Sequence, residues 1–415
     1  MKRIPQLVLL AVLLGFQFWW GIIPAFTAID TDFPNYYTSS RLLIEGKDVS
    51  RIYDDVWFQS QIDSYGIRQA GKYSPFPPVT SMLMLPVASM SPMTALRVWT
   101  CINLLVLVAF IMLLAKTTGL GFLWSAILTL SSGLALANNF RFGQWYLVLS
   151  FLILAGYYLW QRGRTGTAGA LLGIGAAFKY FPIVFVPLMI VKKQWRALIT
   201  GGITIAIIYL AGTMIYGMDI NRQFITTVFG QHLLGNIQDP FTSNFQSWES
   251  LLRRMFIFDA TLNPLPVFPS TSVFILLLVL VKGAIVAVAV HTIYILEKSR
   301  TMDRFIFQFA LSALTALLLL PASATYHFLL LILPIALTVT LKPKDWNFRH
   351  GITVALYVAI GFLPYRFFRG YDGDGLLTLL AYPRLWLMLA LFISVIMMAR
   401  GVATQPSTRR IPTNE

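Results

Sequence analysis

The sequence predicts an all-α, polytopic integral membrane protein, and three observations carry that prediction. Of 415 residues, 57% are hydrophobic and only 12% charged, with a mean hydropathy of +0.69, whereas a soluble globular chain is about a quarter charged. Apolar runs of about 20 residues recur along the chain, each long enough to cross ~30 Å of hydrocarbon. The basic residues stand in short clusters between those runs, at 2–3, 162–164, 192–196, 297–304, 342–349 and 409–410, as expected when cytoplasmic loops collect Lys and Arg. The net charge of +15 is therefore read as topology. A nucleic-acid surface would need a basic block interleaved with aromatics, and the chain has none.

Met1-Lys2-Arg3 precedes an apolar run too long for a signal-peptide core, which predicts an uncleaved first span at 5–27. Apolar runs and loop charge place further spans at 92–115, 119–138, 143–161, 196–216, 271–296, 303–321, 325–341, 350–365 and 380–399. These crossings leave both termini in the cytoplasm. Residues 166–191 break the pattern, because both flanks are basic and the middle carries Lys179 and Pro182. Two short helices that enter and return, with Lys179 at the turn facing a cavity, satisfy both flanks.

This topology turns most of the 17 carboxylates outward and leaves two long extracytoplasmic loops, at 28–91 and 217–269. Residues 1–403 read as a single transmembrane domain and 404–415 as a disordered cytoplasmic tail. Cys101 is the one cysteine, so neither a disulfide framework nor a thiolate metal site is available.

Asp30 and Asp32 stand where the first span ends. Spaced as D-x-D, they read either as a divalent-metal site on a sugar diphosphate or as carboxylates solvated at an interface. Lys179, amid apolar residues, must snorkel, pair or face a wet cavity, so it reads as a structural ion pair or a substrate contact. Most of the 11 Trp and 17 Tyr are explained by aromatic belts at the two interfaces.

In context these residues form an ordered series. Asp32 opens DFPNYY, the same loop continues with Gly46, Asp48, Tyr53 and Tyr73-Ser-Pro-Phe, and then come Phe142-Gly-Gln144, GALLGIGAAFKYFP from Gly169 to Pro182, and Trp195-Arg196. The series resembles glycosyltransferase family 87, polytopic enzymes of the GT-C class, over about residues 30–335. Two places depart from the family pattern. Phe245 stands between Asn244 and Gln246-Ser247 where the family writes N-Q-S ahead of an Arg, here Arg253 or Arg254. Pro321-Ala-Ser323-Ala-Thr-Tyr326-His327 keeps the second of two family histidines and replaces the first by Tyr326.

The resemblance implies a GT-C fold and an inverting transfer of a sugar, mannose most commonly, from a polyprenyl-phosphate donor to a glycolipid or glycan acceptor. The place is the extracytoplasmic face of a bacterial cytoplasmic membrane. A lipid phosphate is already a good leaving group, so one carboxylate acting as general base on the acceptor hydroxyl suffices, unlike the paired carboxylates of glycoside hydrolysis. Asp32, at the family's motif position, is the expected base. His327, Lys179, Arg253 and Arg254 are the expected donor-phosphate contacts, and Asp30, Tyr36, Tyr37, Gln144, Asn244 and Gln246 the expected sugar or acceptor contacts. No cofactor is expected, a metal at Asp30 and Asp32 being the less favoured reading. Alternatives are an arabinosyltransferase of the same family, a lipid or solute transporter, or a polymerase or ligase of lipid-linked glycans. The absence of repeated halves argues against a transporter.

Overall fold

The computed structural model describes residues 3–235, 239–299, 301, 303–340 and 347–404. The tail predicted to be disordered lies outside the described residues from 405 onward, as do 341–346 of one basic cluster. The described residues are all-helical apart from turns and one isolated bridge between Asp259 and Asn263.

Five helices are long and apolar enough to cross a membrane: Ile4–Thr27, Pro92–Thr118, Trp195–Tyr216, Thr271–Ser299 and Pro383–Ala403. Two bent pairs, Leu134–Arg141 with Tyr146–Gln161 and Phe348–Phe362 with Tyr365–Tyr371, raise the number to seven if each pair is one span. The segments predicted as spans at 303–321 and 325–341 form shorter apolar helices, Arg304–Leu319 and Thr325–Thr340. The Trp195–Tyr216 and Thr271–Ser299 helices leave Ile203, Ile207, Leu210, Leu276, Val279 and Leu280 exposed. Such apolar surface is stable against lipid tails and costly against water.

The segment predicted as one span at 119–138 is broken. Helix Phe122–Leu130 ends, and Leu134–Arg141 restarts after Gly133, whose φ of +57° favours glycine. A Cβ on Gly133 would lie 2.6 Å from the Gly361 carbonyl oxygen, so the break lets two backbones touch. The side-chain amide of Gln17, in the first helix, donates to the Leu130 and Gly133 carbonyls at 3.2 and 3.0 Å. Each of these carbonyls also accepts a backbone N–H, from Gly133 and Ala137 respectively, at 3.1 Å.

Residues 166–191 form two short helices, Thr165–Phe178 and Phe181–Val191, with Lys179 between them. The first packs backbone to backbone on Trp195–Tyr216. A Cβ on Gly169 would meet the Ala197 oxygen at 2.1 Å, and one on Gly173 the Gly201 oxygen at 2.6 Å. Small residues spaced by one turn permit this approach, and dispersion across it stabilises helix pairs within a membrane.

Both long predicted loops are folded. The first contains helices Phe33–Ile44 and Asp55–Ser64 and the 3₁₀ helix Pro78–Met84. They share a core that includes Phe33, Tyr36, Tyr37, Phe58 and Tyr73 and takes Trp99 from the Pro92–Thr118 helix. The second carries helix Trp248–Phe256, whose buried Glu249 pairs with Lys282 of the Thr271–Ser299 helix. Lys282 also donates to the Leu319 carbonyl at 3.0 Å. That pairing is how a lysine is tolerated within an apolar run.

Candidate active site

Pro34, at the start of helix Phe33–Ile44, has its φ set for a first turn. This places Asp32 at the N-cap, a position where a carboxylate ordinarily accepts from the helix's own N–H groups. Asp32 makes no such bond, because Pro34 has no N–H and the Asn35 N–H donates to the Asp32 main-chain carbonyl at 3.1 Å. Its Oδ2 accepts from Gln144 Nε2 at 2.7 Å, across 112 residues of sequence.

Gln144 is delivered by a sharp corner. Helices Leu134–Arg141 and Tyr146–Gln161 meet at 119°, and Gly143 turns the chain with φ +60°. A Cβ there would lie 2.8 Å from the Phe33 ring, next to Asp32. The corner is pinned by Trp99 Nε1, which donates to the Gly143 carbonyl at 3.1 Å, and by the Gln144 N–H, which donates to Asn139 O at 2.8 Å.

From Gln144 the network runs on. Tyr36 Oη donates to Gln144 Oε1 at 3.0 Å and accepts from Lys179 Nζ at 2.7 Å. The ammonium lies 4.2 Å from the ring centroid of Phe76, 5.0 Å from that of Tyr36 and 5.3 Å from that of Tyr146, within cation–π range of all three. Tyr146 extends the cluster to His327, ring to ring at 4.6 Å, and to Tyr326 at 5.2 Å. The Tyr326 hydroxyl lies near Asp32 and favours its charged form.

The electrostatics follow from that setting. Burial raises the Asp32 carboxyl above the ordinary carboxylate range, and the bond from Gln144, the charge of Lys179 and the nearby Tyr326 hydroxyl only partly offset it. At His327 the Ala324 N–H donates to Nδ1 at 3.1 Å. Nδ1 is therefore an acceptor, and the neutral ring carries its proton on Nε2. The arrangement offers a basic carboxylate beside a cation and an imidazole N–H.

The remaining residues singled out in the sequence are engaged elsewhere. Asp30 Oδ2 accepts from Arg141 Nε at 2.5 Å in a half-buried ion pair, so the two carboxylates of the D-x-D have different partners. Among the described residues, no three His, Cys, Asp or Glu side chains converge in a way that could hold a metal ion. Tyr37 donates to the Met90 carbonyl at 2.7 Å and stacks on Phe33. Arg253 donates to the Leu234 carbonyl at 2.8 Å and lies over the Phe274 ring. Arg254 pairs with Asp372 at 2.8 Å. Asn244 Oδ1 accepts from Tyr365 and Arg369. Gln246 is buried, and its amide is satisfied by Ser243 O, Ala381 O and the Arg384 N–H.

Sequence reasoning missed Tyr146 and Phe76 as parts of the site and treated Tyr326 only as a departure from a pattern. A signal existed for each, since Tyr146 follows Gln144 by two residues, Phe76 ends the Tyr73-Ser-Pro-Phe stretch, and Tyr326 adjoins His327. Beside Lys179 and His327 along the chain, Phe181, Phe185, Leu329, Leu330 and Leu333 line an apolar hollow with Ile153.

Comparison with known families matches residues 75–321 to Glycosyltransferase family 87. The chain belongs to that family. No curated protein matches it. This family 87 protein is thus an all-helical, polytopic membrane glycosyltransferase. Gln144, Tyr146 and Lys179 lie inside the matched residues, and Asp32 and His327 lie outside them.

Proposed function

We propose that this family 87 protein is an inverting glycosyltransferase that moves a sugar from a polyprenyl-phosphate donor to the hydroxyl of a glycolipid or glycan acceptor, with Asp32 as the general base. The observation that carries the proposal is the Asp32 carboxylate itself. Gln144 orients it, with the Tyr326 hydroxyl and the charge of Lys179 nearby.

In the reaction, Asp32 takes the proton of the acceptor hydroxyl as that oxygen bonds to the anomeric carbon. The bond from that carbon to the phosphate oxygen breaks on the opposite face, and its electron pair leaves with the lipid phosphate. Lys179 and the Nε2–H of His327 stabilise the negative charge that the phosphate gains, an effect that grows in a water-poor site. The reading uses no metal, because Asp30 is held by Arg141.

Mannose is the donor sugar that the family resemblance implies. We place the site at the extracytoplasmic face of a bacterial cytoplasmic membrane. Supporting this, Lys179 stands at one end of helix Thr165–Phe178 and the basic residues 162–164 at the other. The test is to incubate purified protein with labelled polyprenyl-phosphate mannose, or with a mannose nucleotide diphosphate, and with extracted membrane glycolipids as acceptors. Transfer from the lipid donor alone, insensitive to chelator, is expected. Transfer from the nucleotide donor alone would overturn the proposal.

A further inference from the structure

Arg384 opens the Pro383–Ala403 helix and is fully buried, at 0% exposure. Among the described residues no carboxylate pairs with it, and its Nε has no partner. A buried cation without a counter-charge is costly to fold around, so its contacts show what it serves. Nη1 donates to Thr325 Oγ1 at 2.6 Å and Nη2 to the Leu363 carbonyl at 2.8 Å. The guanidinium also lies over the rings of Tyr365 and Phe328, at 5.3 and 5.9 Å.

The other side of the same segment is held as well. The Gln246 N–H donates to Ser323 O at 3.0 Å, and Ser247 Oγ donates to Pro321 O at 2.7 Å. Gln246 in turn accepts from the Arg384 N–H at 3.0 Å. Residues 321–325 are thus clamped between Gln246-Ser247 and Arg384. The clamped segment leads directly into Tyr326, whose hydroxyl lies near Asp32, and His327, whose ring lies 4.6 Å from that of Tyr146.

We propose that Arg384 is a positioning residue: its guanidinium fork holds Thr325 and so fixes Tyr326 and His327 against Asp32 and Tyr146. A lysine keeps the charge but offers no planar fork spanning Thr325 and Leu363. The role rests on the reading of Asp32 as the base, and acts on the reaction only through Tyr326 and His327.

The test compares Arg384→Lys, Thr325→Val and the double variant with Tyr326→Phe and Asp32→Asn, measuring kcat, donor KM, the acidic limb of the pH profile and the melting temperature. Loss of positioning lowers kcat by roughly 10- to 100-fold in Arg384→Lys and Thr325→Val, with donor KM changed much less. The double variant is no slower than the worse single one, because both substitutions break one contact. The acidic limb moves upward, as in Tyr326→Phe, which removes the hydroxyl near Asp32 that favours its charged form. A lowered melting temperature with unchanged kcat and unchanged limb overturns the proposal, as do losses that multiply in the double variant. If Arg384→Lys does not fold, Thr325→Val alone decides by the same criteria. An inactive Asp32→Asn beside fully active Thr325→Val and Arg384→Lys sinks this inference only, whereas an active Asp32→Asn sinks the base assignment.

Discussion

Gln144 Nε2 donates to Asp32 Oδ2 at 2.7 Å while Gln144 Oε1 accepts from Tyr36, so one amide orients the carboxylate and is itself oriented. Gln144→Ala leaves both partners in place but frees the carboxylate to rotate. A hydrogen bond to a charged group contributes about 1.5–3 kcal/mol, so kcat falls by roughly 10- to 100-fold. Steady-state kinetics with the lipid donor measure this, and a loss confined to KM would contradict it.

The pH profile follows from the sign of the Asp32 shift. A base works only when ionised, and burial raises the Asp32 carboxyl above its ordinary value. Activity is therefore lost as pH falls through a limb lying above the ordinary aspartate value of about 3.9. Lys179 opposes the shift through its charge, so Lys179→Met moves the limb further up. An unmoved limb in kcat/KM against pH would separate Lys179 from Asp32.

Asp30 behaves differently. Its pair with Arg141 is partly exposed, at 24% and 36% of the two side chains, and such pairs stabilise by less than about 1 kcal/mol. Asp30→Asn therefore keeps activity within roughly fivefold of wild type. A loss as deep as that of Asp32→Asn, or wild-type activity that chelator abolishes, would return both carboxylates to a shared metal.

Two glycines separate fold from site. Gly169→Ala forces a Cβ into the Ala197 backbone, and overpacking of this kind costs about 1–3 kcal/mol. It lowers the melting temperature in detergent while the surviving protein keeps its pH profile. Gly143→Ala adds a strained φ and a clash with Phe33, costing about 1–3 kcal/mol, and it displaces Gln144 too. Its kcat falls together with its stability, and a melting shift without any kinetic change would contradict that.

Much of this was legible in the chain. Apolar runs and basic flanks gave the helices of 92–118, 195–216 and 271–299 to within a few residues, because hydrocarbon allows few alternatives. The two basic flanks of 166–191 were enough to place Lys179 between two short helices. The break at Gly133 was not legible, since it depends on Gln17 and Gly361, distant in sequence. Asp32 and Gln144 were each singled out, but their contact depends on a 119° corner that no local pattern encodes. Asn244 and Gln246 carried a motif's signal and turned out to be tied to Arg369 and Arg384, because polar groups at those places must be satisfied from within. Arg384 itself gave no signal, because an arginine at the start of a span ordinarily snorkels to water.

The central claim is tested most directly by Asp32→Asn, assayed with polyprenyl-phosphate mannose and extracted glycolipid acceptors beside the wild type. The amide keeps the size and can still be held by its neighbours, but it cannot take the acceptor's proton. The account predicts that donor binding persists while sugar transfer falls by at least about 100-fold. Transfer by Asp32→Asn at the wild-type rate would contradict it.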